Sequence, residues 1–274
     1  MPKNNALANT QPVTLTALNK MKQSGEKIVC LTAYDASFMV HVDQAGVDVV
    51  LVGDSLGMVI QGHETTVPVS MDDMIYHTKA VARTRKRALI MGDMPFMSYA
   101  NVDQTLHNAA RLMQEGGAHM IKLEGGAIQI ETVRQLTARG IPVCGHIGLT
   151  PQSVHKLGGY RVQGRGDDAA QIMKEDALAL QDAGADMLIL ECVPVDLATK
   201  ISKALDIPVI GIGAGKETDG QVLVLYDILG ITPGKAPKFS HNFMIQAGTI
   251  PAAISAYVDA VRDGQFPSPE HTFK

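Results

Sequence analysis

The sequence predicts an α/β fold, a single-domain (β/α)8 TIM barrel, and three observations carry that prediction. Short apolar runs recur along the chain, separated by segments whose apolar positions follow helical spacing. Each run is four to six residues long and mostly β-branched, Leu or Met, as parallel strands buried on both faces require. The 274 residues suit one barrel of ~250 residues better than two average domains. Strand and helix alternate about eight times, which favours a closed barrel over the runner-up, a doubly wound open sheet.

Residues 1–12 read as a flexible N-terminal tail, 13–265 as the barrel, and 266–274 as a C-terminal tail or oligomer contact. Thr14 is placed to cap a first helix running through Lys22, with Gly25 ending it. The strand runs follow: KIVCLTAYD (27–35), VDVVLVGDS (47–55), RALIMGDMPF (87–96), AHMIKLEGG (118–126), IPVCGHIGL (141–149), ADMLILECVP (185–194) and IPVIGIGAG (207–215). The eighth and weakest is YDILGIT (226–232), and 150–170 is a long, Gly-rich connection. Among the helices, the spacing over 102–118 puts Leu106, Ala109, Ala110 and Met113 on one face, and that over 174–186 does so for Ala177, Leu178 and Leu180. DQAGVD, QEGGAH and QDAGAD each offer a Gly as a left-handed cap before the next strand.

Composition narrows the function. Hydrophobic residues make up 46% of the chain, enough for a sizeable core, and a net charge of -4 argues against nucleic-acid binding. The one basic run, RTRKR (83–87), reads as a solvated helix end. Cys30, Cys144 and Cys192 are odd in number and each lies in an apolar run, so they read as reduced core thiols of a cytoplasmic protein. The polar N-terminus lacks a signal-peptide core, and no stretch approaches the ~18 apolar residues of a membrane span.

The chemistry collects at the strand ends, which in a parallel barrel share one mouth. The last polar residues of the runs are Asp35, Asp54 with Ser55, Asp93, Lys122 with Glu124, His146 and Glu191. Carboxylates crowded together repel, and burying them without a counter-charge is costly. A divalent cation resolves both, and oxygen ligands favour Mg²⁺ over Zn²⁺. Alternatives stand beside each residue: Asp54 and Asp93 as helix N-caps, Lys122 as an ion-pair partner of Glu124, His146 as a core histidine. Residues two apart on a strand point the same way, so Lys122 and Glu124 face the mouth together or not at all. GIGAGKETDG (211–220) misses both phosphate-loop patterns, and its glycines could simply admit a ligand to the backbone. A metal beside Lys122 could stabilise the enolate of an α-keto acid, and Glu191, on a separate strand, is then the candidate base.

Eight stretches (LTAYDASF, LVGDSLGMVIQGHETTVPV, GDMPFMSY, IKLEGG, PVCGHIGLTPQSV, GGYRVQGR, ILECVP and PVIGIGAGKETDGQVLV) together resemble the ketopantoate hydroxymethyltransferase family, from about residue 13 to PSPEHTF. The resemblance implies a homo-oligomeric barrel, typically a decamer, with Mg²⁺ and with 5,10-methylenetetrahydrofolate as one-carbon donor. It implies a small-molecule α-keto acid, 3-methyl-2-oxobutanoate, that loses its C3 proton and attacks the folate-borne carbon, giving 2-dehydropantoate and tetrahydrofolate. Carried over to this chain, Asp54 and Asp93 bind metal and substrate, Ser55 and Lys122 contact the keto acid, Glu124 belongs to the metal site, and Glu191 accepts the proton. His146 falls in a family motif as a substrate or supporting contact. Two other readings compete: a C–C lyase or phosphonomutase in which Cys144 is the acid/base, and a non-catalytic scaffold barrel. QGHETTVPVS (61–70) and 150–168 are candidate lids.

Overall fold

The computed structural model describes residues 11–274, so most of the expected tail (1–10) lies outside the described residues. Eight parallel strands close into a barrel in chain order: β1 Ile28–Thr32, β2 Val49–Val52, β3 Leu89–Asp93, β4 Met120–Glu124, β5 Val143–Gly148, β6 Met187–Glu191, β7 Val209–Ile212 and β8 Gly220–Leu223. The helices are α1 Leu15–Ser24, α2 Ala36–Gln44, α3 Leu56–Val59, α4 Met71–Ala82, α5 Val102–Gln114, α6 Ile130–Thr137, α7 Val154–Leu157, α8 Asp167–Asp182, α9 Val195–Ala204, α10 Leu225–Ile228, α11 Met244–Ala247 and α12 Ile250–Arg262. Their apolar faces cover the strands from outside while strand side chains fill the inside, which is why β1 to β4 are buried at every position. No described helix is long and apolar enough to cross a membrane.

Local signals set the boundaries. Thr14 accepts from Ala17 N at 3.2 Å and Gly25 takes φ 75°, so α1 is capped at both ends as the sequence predicts. Gly46, Gly117 and Gly184 all take positive φ after α2, α5 and α8. The buried face of α5 is rotated from the expected one: Thr105, Asn108, Ala109 and Leu112 are buried, while Leu106, Ala110 and Met113 are half-buried. Asn108 earns its place by donating to Ser98 O at 2.7 Å, a contact that hydropathy spacing ignores. Not all of RTRKR is solvated. Arg87 reaches Asp48 at 2.6 Å, and Asp43 accepts from the backbone N–H groups of Lys86, Arg87 and Ala88, pinning the entry to β3.

The eighth strand is Gly220–Leu223, and residues 226–228 of the expected run (226–232) fall in α10 instead. Closure explains the shift. β8 must pair with both β7 and β1, and at Gly220 a Cβ would sit 2.2 Å from Ile28 O and 2.8 Å from Ile210 Cδ1. Only glycine lets the strands approach there. The seam is held from outside by α12: the fully buried Tyr257 donates to Cys30 O at 2.7 Å and Gln221 O at 3.2 Å, bridging β1 and β8. The C-terminal segment packs back on the barrel, with Phe273 O accepting from Val195 N at 3.1 Å.

Candidate active site

Strand register places the charged side chains. Asp93 ends β3 level with Lys122 on β4, and Glu124 is level with His146 on β5. Glu191 ends β6 level with Gly148, two residues beyond His146, because neighbouring strands in a barrel are staggered. The result is a row of alternating charge across four strands. Lys122 Nζ lies 2.8 Å from both Asp93 oxygens and 3.7 Å from Glu124 Oε1. His146 Nδ1 lies 3.3 Å from Glu124 Oε1, and its Nε2 lies 3.3 Å from Glu191 Oε2. Neither imidazole contact has the direction of a well-formed hydrogen bond, so both act as ion pairs.

Asp54, just past β2, stands beside this row. Its backbone N–H donates to Asp93 Oδ2 at 3.3 Å, and its own carboxylate accepts from Gln152 Nε2 at 2.9 Å. Neither Asp54 nor Asp93 caps a helix. Ser55 is bonded to Tyr34 OH at 2.9 Å. Asp54, Ser55, Asp93, Lys122, Glu124, His146 and Glu191 all line one cavity of about 690 Å³ at the strand C-termini. Of the strand-end residues singled out in the sequence, all but Asp35 are therefore brought together.

The electrostatics follow from burial and sign. Burial, then the charge of Asp93, pushes the Asp54 carboxyl well above its ordinary range, with Lys122 opposing. Burial also raises Asp93 despite Lys122. Burial raises Glu124 as well, but His146, Lys122 and the Gln152 N–H outweigh it and bring its carboxyl down. Lys122 is the mirror case: burial opposes its charge, and Asp93, Glu124 and Asp54 overcome that and hold it as ammonium. Burial and Lys122 act against protonation of His146, yet Glu124 and Glu191 push it up to about 9.

Asp54 and Asp93 thus form a buried like-charged pair facing a cavity with too little positive charge. That oxygen donor set and charge deficit fit a hard divalent cation. Glu124 shares the cavity, although its carboxylate is engaged by Lys122, His146 and Gln152. Among the described residues no group of three or more His, Cys, Asp or Glu is already drawn together around one point.

Other expectations change. Asp35 does not reach the cavity; its Oδ1 accepts from Ser37 N and Phe38 N at 2.8 and 2.9 Å, so it caps α2. The GIGAG glycines approach the chain itself: a Cβ on Gly213 would meet Phe273 and Phe239, and one on Gly215 would meet Val195. Cys144 is fully buried and absent from the cavity wall, and burial pushes its thiol up, as expected of an inert core thiol. Gln152 and Tyr99 are additions. The Gln152 amide donates to Asp54 and to Met94 O, its backbone N–H donates to Glu124, and its Oε1 accepts from Tyr99 OH. Only the Pro151 helix start hints at it in the sequence, because a loop Gln carries no pattern of its own.

The profile of the ketopantoate hydroxymethyltransferase family matches residues 12–269. The chain belongs to that family. The 3-methyl-2-oxobutanoate hydroxymethyltransferase of Alkalilimnicola ehrlichii is 62% identical over 96% of this chain and 95% of its own length. The enzyme of that name from Nitrosococcus oceani is 63% identical over 93% and 97%. The family is one of transferases. Among solved structures, oxaloacetate acetylhydrolase with the product oxalate aligns with TM-score 0.60 at 14% identity, covering 93% of this chain and 98% of that one. Phosphonopyruvate hydrolase with oxalate and Mg²⁺ aligns with TM-score 0.56 at 15% identity, covering 94% and 92%. At such identity these show that the family shares their barrel, and no more.

Proposed function

We propose that this chain catalyses the reaction for which its family is named, in pantothenate biosynthesis. A one-carbon unit passes from 5,10-methylenetetrahydrofolate to C3 of 3-methyl-2-oxobutanoate, giving 2-dehydropantoate and tetrahydrofolate. The observation that carries this reading is the row Asp93, Lys122, Glu124 and His146, all buried, ending at the partly exposed Glu191 and with Asp54 beside it, in one cavity of a chain matching the family over residues 12–269.

Asp54 and Asp93 would hold Mg²⁺, with Glu124 as the third acid of the site. When bound, the cation supplies a Lewis acid for the carboxylate and keto oxygens of the substrate. The remaining work falls to side chains. Lys122 carries a fixed positive charge beside Asp93, where the keto acid's own negative charge is received. Ser55, held by Tyr34, offers a hydroxyl to the same substrate. Glu191 takes the C3 proton, and His146 fixes its carboxylate through Oε2. The buried walls exclude bulk water from the carbanionic carbon. We further propose a homo-oligomer, a decamer, working in the cytoplasm.

The test is C3 proton exchange of 3-methyl-2-oxobutanoate in D₂O, followed by NMR without folate. Wild type with Mg²⁺ should exchange, while Glu191→Gln should lose ~10²–10⁴-fold in rate. Exchange that persists undiminished in the variant removes Glu191 from the role. No exchange in wild type, with or without tetrahydrofolate, sinks the reaction itself.

A further inference from the structure

The cavity has two unlike halves, and the keto-acid chemistry uses only one. The wall built by the ends of β2 to β6 carries every charge so far described. The opposite wall is built by β1, β7, β8 and the segment 232–239, and it is largely apolar, with Ile212, Val222, Leu223, Val224 and Phe239 facing in. One acid interrupts it. Asp227, on α10 one turn past β8, lines the cavity and is only 6% exposed. Its Oδ1 accepts from Thr232 Oγ1 at 2.6 Å, and its other oxygen has no partner among the described residues. Burial raises its carboxyl.

That second oxygen opens to a largely apolar stretch of the cavity, where it is a ready acceptor for a donor on a ligand. The keto acid cannot supply one, being an anion without N–H or O–H groups. The second substrate can. A 2-amino-4-oxopteridine presents two adjacent donors, N3–H and the 2-amino group, spaced for the two oxygens of one carboxylate. Its flat faces need apolar walls, which this half supplies. Beyond it, the exposed Lys235 and Lys238 line the mouth, a basic rim suited to the carboxylates of a glutamate tail.

We propose that Asp227 is the anchor for the pterin ring of the folate donor, accepting from its N3–H and 2-amino groups. The proposal rests on the folate-dependent reaction above. It places the two substrates on opposite walls, with the keto acid's C3 turned across the cavity toward the one-carbon unit.

The test measures binding of tetrahydrofolate and of its 2-desamino analogue by calorimetry, and C3 proton exchange in parallel. Asp227→Asn keeps an oxygen for Thr232 but loses the charge and one acceptor. It should weaken tetrahydrofolate binding by ~10–100-fold while leaving folate-free exchange intact. Wild type should discriminate against the 2-desamino analogue, and the variant should discriminate far less. Thr232→Val, which removes only the loop contact, should keep the wild-type preference. Unchanged tetrahydrofolate affinity in Asp227→Asn, or equal discrimination by variant and wild type, overturns the proposal. Loss of exchange in the variant also overturns it, by showing that Asp227 acts through the fold. Wild type that exchanges the keto-acid proton yet binds no tetrahydrofolate refutes the folate donor itself, which separates that failure from a wrong anchor.

Discussion

Replacing Lys122 by Met would remove the one permanent cation between two buried acids. Its ammonium lies 2.8 Å from both oxygens of Asp93 and 3.7 Å from Glu124, and those residues are 1% and 5% exposed. Deleting one partner of such a pair leaves an uncompensated buried charge and costs about 3–5 kcal/mol. For a chain of this size that lowers the melting temperature by roughly 6–20 °C. The sign of the pH dependence follows from Asp93. Its folded carboxyl already lies above the ordinary carboxylate range, and without Lys122 it rises further. An acid whose folded pKa exceeds its unfolded value subtracts stability above the unfolded pKa of ~3.9, and the deficit shrinks as pH falls toward that value. The loss in Lys122→Met should therefore be larger at pH 8 than at pH 5. The assay is calorimetric melting of both proteins in metal-free buffer across that range, with Lys122→Met/Asp93→Asn closing a double-mutant cycle. The double variant should recover part of the loss. A single variant as stable as wild type, or a double variant no better than the single, would refute the reasoning.

Three shorter expectations follow. His146 has a folded pKa of about 9, above the ordinary ~6.5, so its contribution is full below ~6.5 and is lost as pH rises through about 9. Metal-free wild type should lose melting temperature over that window and His146→Gln should lose less; parallel curves would contradict this. Cys144→Ala should retain transfer activity, because the thiol is buried outside the cavity wall; an inactive but folded variant would favour the lyase-type acid/base reading. Segments 61–70 and 150–168 both border the cavity mouth, through Gly62, His63, Glu64 and Tyr160, and Tyr160 OH lies 3.5 Å from Met58 Sδ on α3. Hydrogen exchange at 61–70 should slow when Mg²⁺ and keto acid are added together, and identical exchange would remove it as a lid.

Apart from Asp54 and Ser55, which lie just past the end of β2, the residues that could be read from the sequence are those whose position alone fixes their direction. Asp93, Lys122, Glu124, His146 and Glu191 lie within buried strands or at their ends, where alternation decides which way a side chain points. Asp35 misled because it lies beyond its strand's end, where backbone turning overrides alternation and the carboxylate serves its own helix. Gln152 is hidden for the same reason: it sits in a connection, and its partners Asp54, Met94, Tyr99 and Glu124 lie far away in sequence. Asp227 is hidden because it falls in the run expected to be the eighth strand, which folds as α10. The eighth strand was misplaced because its defining constraint, the approach of Ile28 O to Gly220, is a contact between the two ends of the sheet. No local pattern records it.

That seam has a consequence for how the chain is made. The barrel cannot close until β8 meets β1, and the bridge across the two comes from Tyr257, near the end of the chain. At translation rates of ~5–20 residues per second, the 274 residues take roughly 14–55 seconds to synthesise. For nearly all of that time the nascent protein is an unclosed parallel sheet with β1 presenting a bare hydrogen-bonding edge, the kind of edge that recruits other chains. The first strand off the ribosome waits for the last, so the ring is sealed only after the chain through Tyr257 has emerged, and until then the β1 edge stays open to pairing with other chains.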